Sequence, residues 1–197
     1  MQITVVPVGK IDAVELEPVL GRVAKAIRGP VELRGSIPVP AGIQDPERRQ
    51  FRASTLMNAL RSRLPQLSPG RLIGAEGDGG QASAARDSAV IFVTDVDMYT
   101  ANSDGVFAAF NRQSRLGVVS VRRLREAFYR RKADQVKQRS RLVREIARAA
   151  ARLHGTKECQ DPKCLLSSTR MVADLDLKDE RFCRACSQHL FEGRIRI

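Results

Sequence analysis

Residues 142–186 read LVREIARAAARLHGTKECQDPKCLLSSTRMVADLDLKDERFCRAC and contain all four cysteines of the 197-residue chain. The cysteines form two close pairs, Cys159-x4-Cys164 and Cys183-x2-Cys186, separated by eighteen residues. Structural zinc takes four thiolates in a tetrahedron, and each close pair can form a chelating turn while the intervening segment folds back. The spacing predicts one structural Zn²⁺ bound by these four cysteines.

Two other interpretations of the cysteines are open at this stage. Two disulfides need an oxidising compartment, and the first residues, MQITVVPVGK, have neither the basic nor the apolar region of an export signal. A redox dithiol at Cys183 and Cys186 is expected at the start of a helix that follows a strand, and it leaves the first cysteine pair unexplained. We therefore favour zinc over disulfides or free thiols.

The length of the chain suits one α/β domain with its own hydrophobic core, followed by a small metal-bound lobe. We predict that residues 1–155 form the domain and residues 156–197 the lobe. No apolar run approaches the ~20 residues that are needed to cross a bilayer. We therefore expect a cytoplasmic protein that does not act on membranes.

The formal charge of +12 is concentrated in residues 121–153, where twelve Lys or Arg face three Asp or Glu, a net charge of +9. Such a segment is either a solvated helix face or a surface for phosphates or acidic peptides. The chain has two Tyr, seven Phe and no Trp, so it offers few rings for stacking on bases. An acidic peptide or protein is therefore a better expected partner than nucleic acid.

Hydrophobic periodicity predicts an order of β-α-β-α-β-β followed by a long helix, which indicates an α/β fold. Strands are expected at residues 2–8, 31–38, 89–96 and 117–121, the last in a hairpin with 106–110. Helices are expected at residues 12–29, 49–64 and 121–155, the last interrupted between 129 and 138. Asp12 and Glu15 have the N-cap and N3 arrangement, and Gly155 fits the left-handed position after a helix. Residues 65–86 are rich in Gly, Ser and Pro and are expected to be irregular and mobile, Gly77–Gly80 above all.

A helix ending at Gly155, a Cys-x4-Cys pair enclosing Asp161-Pro162 and a distal Phe-Cys-x2-Cys pair resemble the archaemetzincin family of metzincin-clan zinc metallopeptidases. The similar segments are residues 49–54 (RQFRAS), 94–99 (TDVDMY), 119–124 (VSVRRL), 158–164 (ECQDPKC), 173–178 (ADLDLK) and 181–186 (RFCRAC). The resemblance spans most of the chain. It implies a metzincin-like zincin fold, with a twisted mixed β-sheet packed against helices and a C-terminal lobe in which four cysteines hold a structural zinc.

The resemblance also implies an active-site helix at residues 139–155, where the family carries His-Glu-x-x-His-x-x-Gly-x-x-His-Cys. This chain keeps the glycine, Gly155, and loses every catalytic position of that motif. The replacements are Arg148 for the first zinc-binding His, Ala149 for the general-base Glu, Arg152 for the second His, Glu158 for the third His, and Leu166 for the Met beneath the metal.

A catalytic zinc of this kind requires two neutral imidazoles one helical turn apart and a carboxylate that takes a proton from the bound water. The chain has two histidines, His154 and His189, which are too far apart in sequence to form that motif. Arginine stays protonated and offers no lone pair to a cation. We therefore expect no catalytic zinc, with His154 at the helix end and His189 at the surface.

Two arrangements of the arginines are equally compatible with the sequence. In the first, Glu158 returns from beyond the helix and pairs with Arg148 and Arg152 in the former metal cavity. In the second, Arg141, Glu145, Arg148 and Arg152 form a solvent-exposed stripe whose i,i+4 pairs contribute only ~0.3–0.5 kcal/mol each.

The function predicted from these observations is that of an archaemetzincin-like pseudopeptidase. It keeps the structural zinc, has lost peptide hydrolysis and binds acidic peptides in an Arg-lined cleft. The alternatives are an active zinc metalloprotease with a non-standard site and a basic nucleic-acid-binding zinc protein.

Overall fold

The computed structural model describes residues 1–68, 70–74 and 88–192. Its strands are β1 (Ile3–Val8), β2 (Val31–Leu33), β3 (Gln44–Asp45), β4 (Gln50–Arg52), β5 (Arg71–Ile73), β6 (Ala89–Thr94), β7 (Met98–Tyr99), β8 (Ala108–Asn111) and β9 (Leu116–Ser120). Six of them form a mixed sheet in the order β5-β2-β1-β6-β9-β8. The four inner strands run parallel, and the two edge strands β5 and β8 are antiparallel to their neighbours. A second, small sheet has the order β3-β4-β7.

Helices cover both faces of the main sheet. They are α1 (Ala13–Ile27), α2 (Ala53–Arg61), α3 (Gln135–Leu153), α4 (Val172–Leu177) and α5 (Arg184–Ser187), with a π-helical turn at Gln188–Glu192. On one face, Ile3 and Val5 of β1 belong to the core formed with α1 and α3, and on the other Val6 and Val8 belong to the core formed with α2. This alternation follows from the period of two along a strand. No helix among the described residues is long and apolar enough to cross a membrane.

The most apolar predicted strands are confirmed. All six residues of β1 and five of the six residues of β6 are buried, as expected for strands covered by helices on both faces. The predicted hairpin is formed by β8 and β9. Asp12 caps α1, because its Oδ1 accepts a hydrogen bond of 2.8 Å from the N–H of Val14.

One predicted strand is longer than the observed one, one strand was missed, and one predicted loop is not tested. The strand predicted at residues 31–38 ends at Leu33, and only Ile37 returns to bridge Val8. The edge strand β5 was not predicted, because its three residues lie in a segment dominated by turn-forming residues. The expected excursion at Gly77–Gly80 lies outside the described residues.

The helix expected from residue 121 is α-helical only from Gln135 onward. Residues 122–129 form two short 3₁₀ turns, and the predicted interruption falls in the irregular segment before the N-cap residue Asp134. At the other end, Gly155 has φ +99°, and the N–H groups of Gly155 and Thr156 donate to the carbonyls of Arg152 and Ala151. These two hydrogen bonds form a Schellman motif, so Gly155 occupies the predicted left-handed position.

The C-terminal cysteine segment packs against the same core as the sheet. Leu165, Leu166, Leu175 and Phe182 are buried in the cluster that contains α1 and α3. The side chains between the two cysteine pairs therefore anchor this segment to the central helix. The segment between the two cysteine pairs consequently packs beside α3, the helix on which the resemblance puts the catalytic motif.

Candidate functional site

The four cysteines converge into one cluster. Their sulfur atoms all lie within 4.8 Å of one another, and the Sγ atoms of Cys159 and Cys183 are 3.8 Å apart. A disulfide has an S–S distance of about 2.05 Å, and all four cysteines are free, which rules out the disulfide interpretation here. Four sulfurs at about 2.3 Å from a tetrahedral zinc are separated by about 3.8 Å. The cluster therefore has the spacing of a zinc centre.

Local backbone structure brings the two pairs together. Asp161 makes the first turn, since its Oδ1 accepts from the N–H of Lys163 (3.0 Å) and its carbonyl accepts from the N–H of Cys164 (3.1 Å). Cys183 is the N-cap of α5, and its N–H donates to the Sγ of Cys164 across 3.3 Å. The second pair lies at a helix start but follows a loop, unlike the strand expected before a redox dithiol.

The thiols differ in their tendency to ionise. The N–H of Cys186 donates to the sulfur of Cys183 and lowers the pKa of that thiol, whereas burial raises the pKa of Cys164. Several thiolates this close together need a cation to balance their charge. Soft sulfur ligands without any carboxylate select zinc rather than magnesium or calcium. The four cysteines could therefore hold a zinc ion, as the sequence predicts.

Neither predicted arrangement of the arginines on α3 is correct. Arg148 pairs with Glu145, one turn earlier on the same helix, through Nε–Oε1 and Nη2–Oε2 hydrogen bonds of 3.0 and 2.7 Å. Glu158 is exposed and makes no hydrogen bond or ion pair with Arg148 or Arg152 among the described residues. The solvent-exposed stripe is also wrong, because Arg141 and Glu145 are 0% exposed and Arg148 is 8% exposed.

The buried ion pair keeps Arg148 charged. Burial opposes the charge and is the largest influence on this group, but the carboxylate of Glu145, with a smaller contribution from Glu158, outweighs it and raises the pKa of Arg148. A guanidinium held in this state has no lone pair with which to bind a metal ion. Glu145 competes successfully with Glu158 because the i,i+3 spacing brings it to Arg148 within one helix.

Arg152 lies one turn beyond Arg148 and donates from Nη1 to the carbonyl of Thr156 across 3.0 Å. The Cζ atoms of Arg148 and Arg152 are 5.9 and 5.5 Å from the centre of the Phe110 ring on β8. Ala149, at the position of the general base, is fully buried. The only cluster of three or more metal-ligating side chains in residues 1–68, 70–74 and 88–192 is that of the four cysteines.

Both histidines are where the sequence predicts them. His154 is the C-cap residue of α3, and its Nδ1 is 2.9 Å from the carbonyl oxygen of Ala150. His189 is exposed on the π-helical turn and does not belong to the cysteine cluster. Leu166, at the position of the Met beneath the metal, is buried, and its carbonyl accepts the N–H of Cys159.

Lys178 lies within one of the segments that resemble the family, but nothing in the sequence pattern predicts a role for it. Lys178 is 2% exposed, and its Nζ donates to the carbonyl of Ser167 (2.6 Å) and to Oγ1 of Thr169 (2.5 Å). The Thr169 hydroxyl donates in turn to Glu145 across 3.3 Å. A buried network therefore joins the loop after the first cysteine pair to the Arg148–Glu145 pair.

Burial lowers the pKa of Lys178 to about 8, below its ordinary value of 10.5. The unfolded chain thus binds one more proton than the folded chain between these pH values, so the stability of the protein rises with pH in that window. We predict that the free energy of unfolding of the wild type, relative to that of Lys178→Met, increases by about 3 kcal/mol between pH 8 and pH 10.5. Urea unfolding of both proteins at a series of pH values measures this difference. Parallel pH profiles of the two proteins would contradict the assignment.

Solved structures confirm the class of fold. A zinc-dependent peptidase from Methanocorpusculum labreanum superposes with a TM-score of 0.77 and 26% identity, covering 95% of this chain and 99% of that one. The archaemetzincin from Methanopyrus kandleri gives a TM-score of 0.71 with 22% identity, covering 99% and 97%. The chain therefore has the mixed α/β fold of the archaemetzincins, as the resemblance implied.

Sequence comparison identifies the family. The profile of peptidase family M54 matches residues 58–192, and this chain belongs to that family. The archaemetzincin of Methanocaldococcus jannaschii is 24% identical over 197 residues, which covers all of this chain and 97% of that protein. The archaemetzincin of Thermococcus kodakarensis is 29% identical over 105 residues, 53% of this chain and 56% of that protein.

Proposed function

We propose that this protein is a member of peptidase family M54 that holds one structural zinc and has lost peptide hydrolysis. The observation that carries the proposal is the replacement of both helical zinc ligands by Arg148 and Arg152, the first of which is fixed to buried Glu145. Ala149 has no carboxylate with which to take a proton from water. The zinc held by the four cysteines cross-links two loops. The protein works in the cytoplasm, where thiols stay reduced.

The ligand that we propose is an acidic peptide, which would bind along β8 and the turn that follows it. Three cavities of about 330, 570 and 520 Å³ are lined by residues of β8 or the turn that follows it. None of their lining residues is acidic, and each cavity contains two arginines. These arginines are Arg148 and Arg170 in the first, Arg52 and Arg112 in the second, and Arg112 and Arg115 in the third. Cavities that are lined by charges of one sign attract ligands of the opposite sign.

Loss of hydrolysis can be tested with zinc-loaded full-length protein, casein and a mixture of acidic peptides, with cleavage followed by mass spectrometry. We expect no cleavage above the buffer background, while thermolysin in the same buffer digests the casein. Cleavage that increases with protein concentration and stops when a chelator is added would show that the protein is an active metallopeptidase, and the proposal would fail.

A nucleic-acid ligand is the second candidate, favoured by the charge of residues 121–153. Five of the twelve cations there pair with acidic side chains, and the other seven form no ion pair with the described residues. Binding of an RNA or DNA oligonucleotide that weakens steeply with salt would support this candidate.

A further inference from the structure

The 330 Å³ cavity lies on the side of α3 where the resemblance puts the first zinc ligand. Its wall is formed by residues 102, 103 and 105–108, the last of which begins β8, by Arg148, and by Thr169 and Arg170 after the first cysteine pair. Among these residues Arg148 is the most deeply buried side chain that carries a charge. The wall of the cavity therefore contains a largely buried positive charge.

The hydrogen bonds of Arg148 leave one nitrogen of its guanidinium, Nη1, for a ligand. Nε and Nη2 both donate to Glu145, and no described residue accepts from Nη1. Arg148 lines the cavity and is 8% exposed, so Nη1 is the nitrogen that its pair with Glu145 leaves for a ligand. Because Glu145 fixes two of the three nitrogens, this donor is held in one orientation before any ligand arrives, which lowers the entropic cost of binding.

The other polar groups of the cavity can also donate. Arg170 is exposed and has no ion-pair partner among the described residues, and Asn102 also lines the cavity. The Thr169 hydroxyl gives its one proton to Glu145 and accepts from Lys178, so it has no proton left to donate to a ligand. A cavity with two guanidinium groups and no carboxylate suits a ligand group that only accepts hydrogen bonds.

We propose that this cavity is a carboxylate-binding subsite in which Arg148 Nη1 and Arg170 hold one carboxylate of the ligand. The proposal rests on the acidic-peptide function proposed above and gives it a location. The subsite uses the arginine that prevents metal binding as an anchor for an anion. Charge-assisted hydrogen bonds to a carboxylate in such a partly buried place contribute more than exposed ion pairs do.

The test uses zinc-loaded full-length protein and labelled acetyl-AAEAAA-amide, acetyl-AAQAAA-amide and acetyl-AAAAAA with a free terminal carboxylate, followed by fluorescence polarisation. We expect the Glu peptide or the free-acid peptide to bind at least about tenfold more tightly than the Gln peptide. Which of these two binds more tightly identifies the carboxylate as a side chain or a chain terminus. Equal binding of all three peptides, or binding of none, overturns the subsite.

Variants of the two arginines test whether the carboxylate of the peptide binds in this cavity. Arg170→Gln changes an exposed side chain, folds without difficulty and is expected to reduce binding of the carboxylate peptide to the level of the Gln peptide. Arg148→Gln combined with Glu145→Gln should do the same, and it removes both charges of that buried pair together. Arg139→Gln, an exposed residue of α3 outside the cavity, is the matched control and should bind as the wild type does. Unchanged binding by Arg170→Gln overturns the subsite, whereas cleavage of any peptide overturns the proposed loss of hydrolysis.

Discussion

Replacing Arg141 with leucine is expected to lower the free energy of unfolding by about 3–5 kcal/mol, because it removes the fully buried partner of Glu126 and Asp176 and leaves these carboxylates only ion pairs with more exposed cations. Arg141 is 0% exposed. Its Nε and Nη2 donate to the two carboxylate oxygens of Asp176 on α4, both across 2.7 Å. Nη2 also donates to Glu126 (2.5 Å), and Nη1 donates to the carbonyl of Leu124 (2.8 Å). One side chain thus joins α3 to α4 and to both 3₁₀ turns.

The charges in this cluster depend on one another. Burial opposes ionisation of Arg141, but its hydrogen bonds to Asp176 and Glu126 raise the pKa of the guanidinium above its ordinary value. Lys137 lies 3.3 Å from Glu126 and from Asp176 and cannot take the place of the planar, two-pronged guanidinium. We therefore expect Arg141→Lys to recover only part of the lost stability.

Arg139→Leu is the matched control for this prediction. Arg139 lies two residues away on α3, is exposed and forms no ion pair with the described residues, so its replacement should change stability by less than about 0.5 kcal/mol. Urea unfolding followed by circular dichroism measures all three variants. A loss below about 1 kcal/mol for Arg141→Leu would mean that the buried network is not formed as described.

Removing the metal from the cysteine cluster is expected to lower the melting temperature by about 10 °C or more. Binding of structural zinc contributes directly to folding free energy, and each kcal/mol corresponds to about 2–4 °C for a chain of this length. The segment between the cysteine pairs also supplies Leu165, Leu166 and Phe182 to the core beside α3. Its loosening therefore exposes apolar surface well beyond the metal centre.

Two independent ways of removing the metal should agree. Cys164→Ser and treatment of the wild type with a chelator are expected to give the same lowered melting temperature, and the chelator should not destabilise Cys164→Ser any further. His189→Ala, an exposed residue beyond the cluster, is the control and should melt like the wild type. A chelator that leaves the melting temperature of the wild type unchanged would exclude a structural zinc.

The elements that could be predicted from sequence are those whose signal is local. Four cysteines in two close pairs specify their own geometry, and the buried runs of β1 and β6 need no knowledge of the rest of the chain. The glycine at position 155 likewise predicts the helix end because few other residues adopt a positive φ. The structure confirms that the four cysteines come together, that β1 and β6 are strands and that the helix ends at Gly155.

The elements that could not be predicted depend on tertiary neighbours. The sequence shows that Arg148 has acidic residues at 145 and 158, but only the packed structure decides that Glu145 is buried with it while Glu158 faces solvent. The partners of Arg141 come from two segments, one before and one after α3. Helical periodicity predicts that such charged side chains face solvent. Here they are buried instead, because each has a partner of opposite charge.

The measurement that tests the central claim most directly is the ratio of zinc to protein in the purified full-length chain, determined by inductively coupled plasma mass spectrometry. The predicted result is one zinc per chain for the wild type and for Arg148→Gln combined with Glu145→Gln, and none for Cys164→Ser combined with Cys183→Ser. In this account the cysteines hold the one zinc, and arginines occupy the positions of the catalytic zinc ligands. A wild type that holds two zinc ions, or a cysteine variant that keeps its zinc, would contradict it.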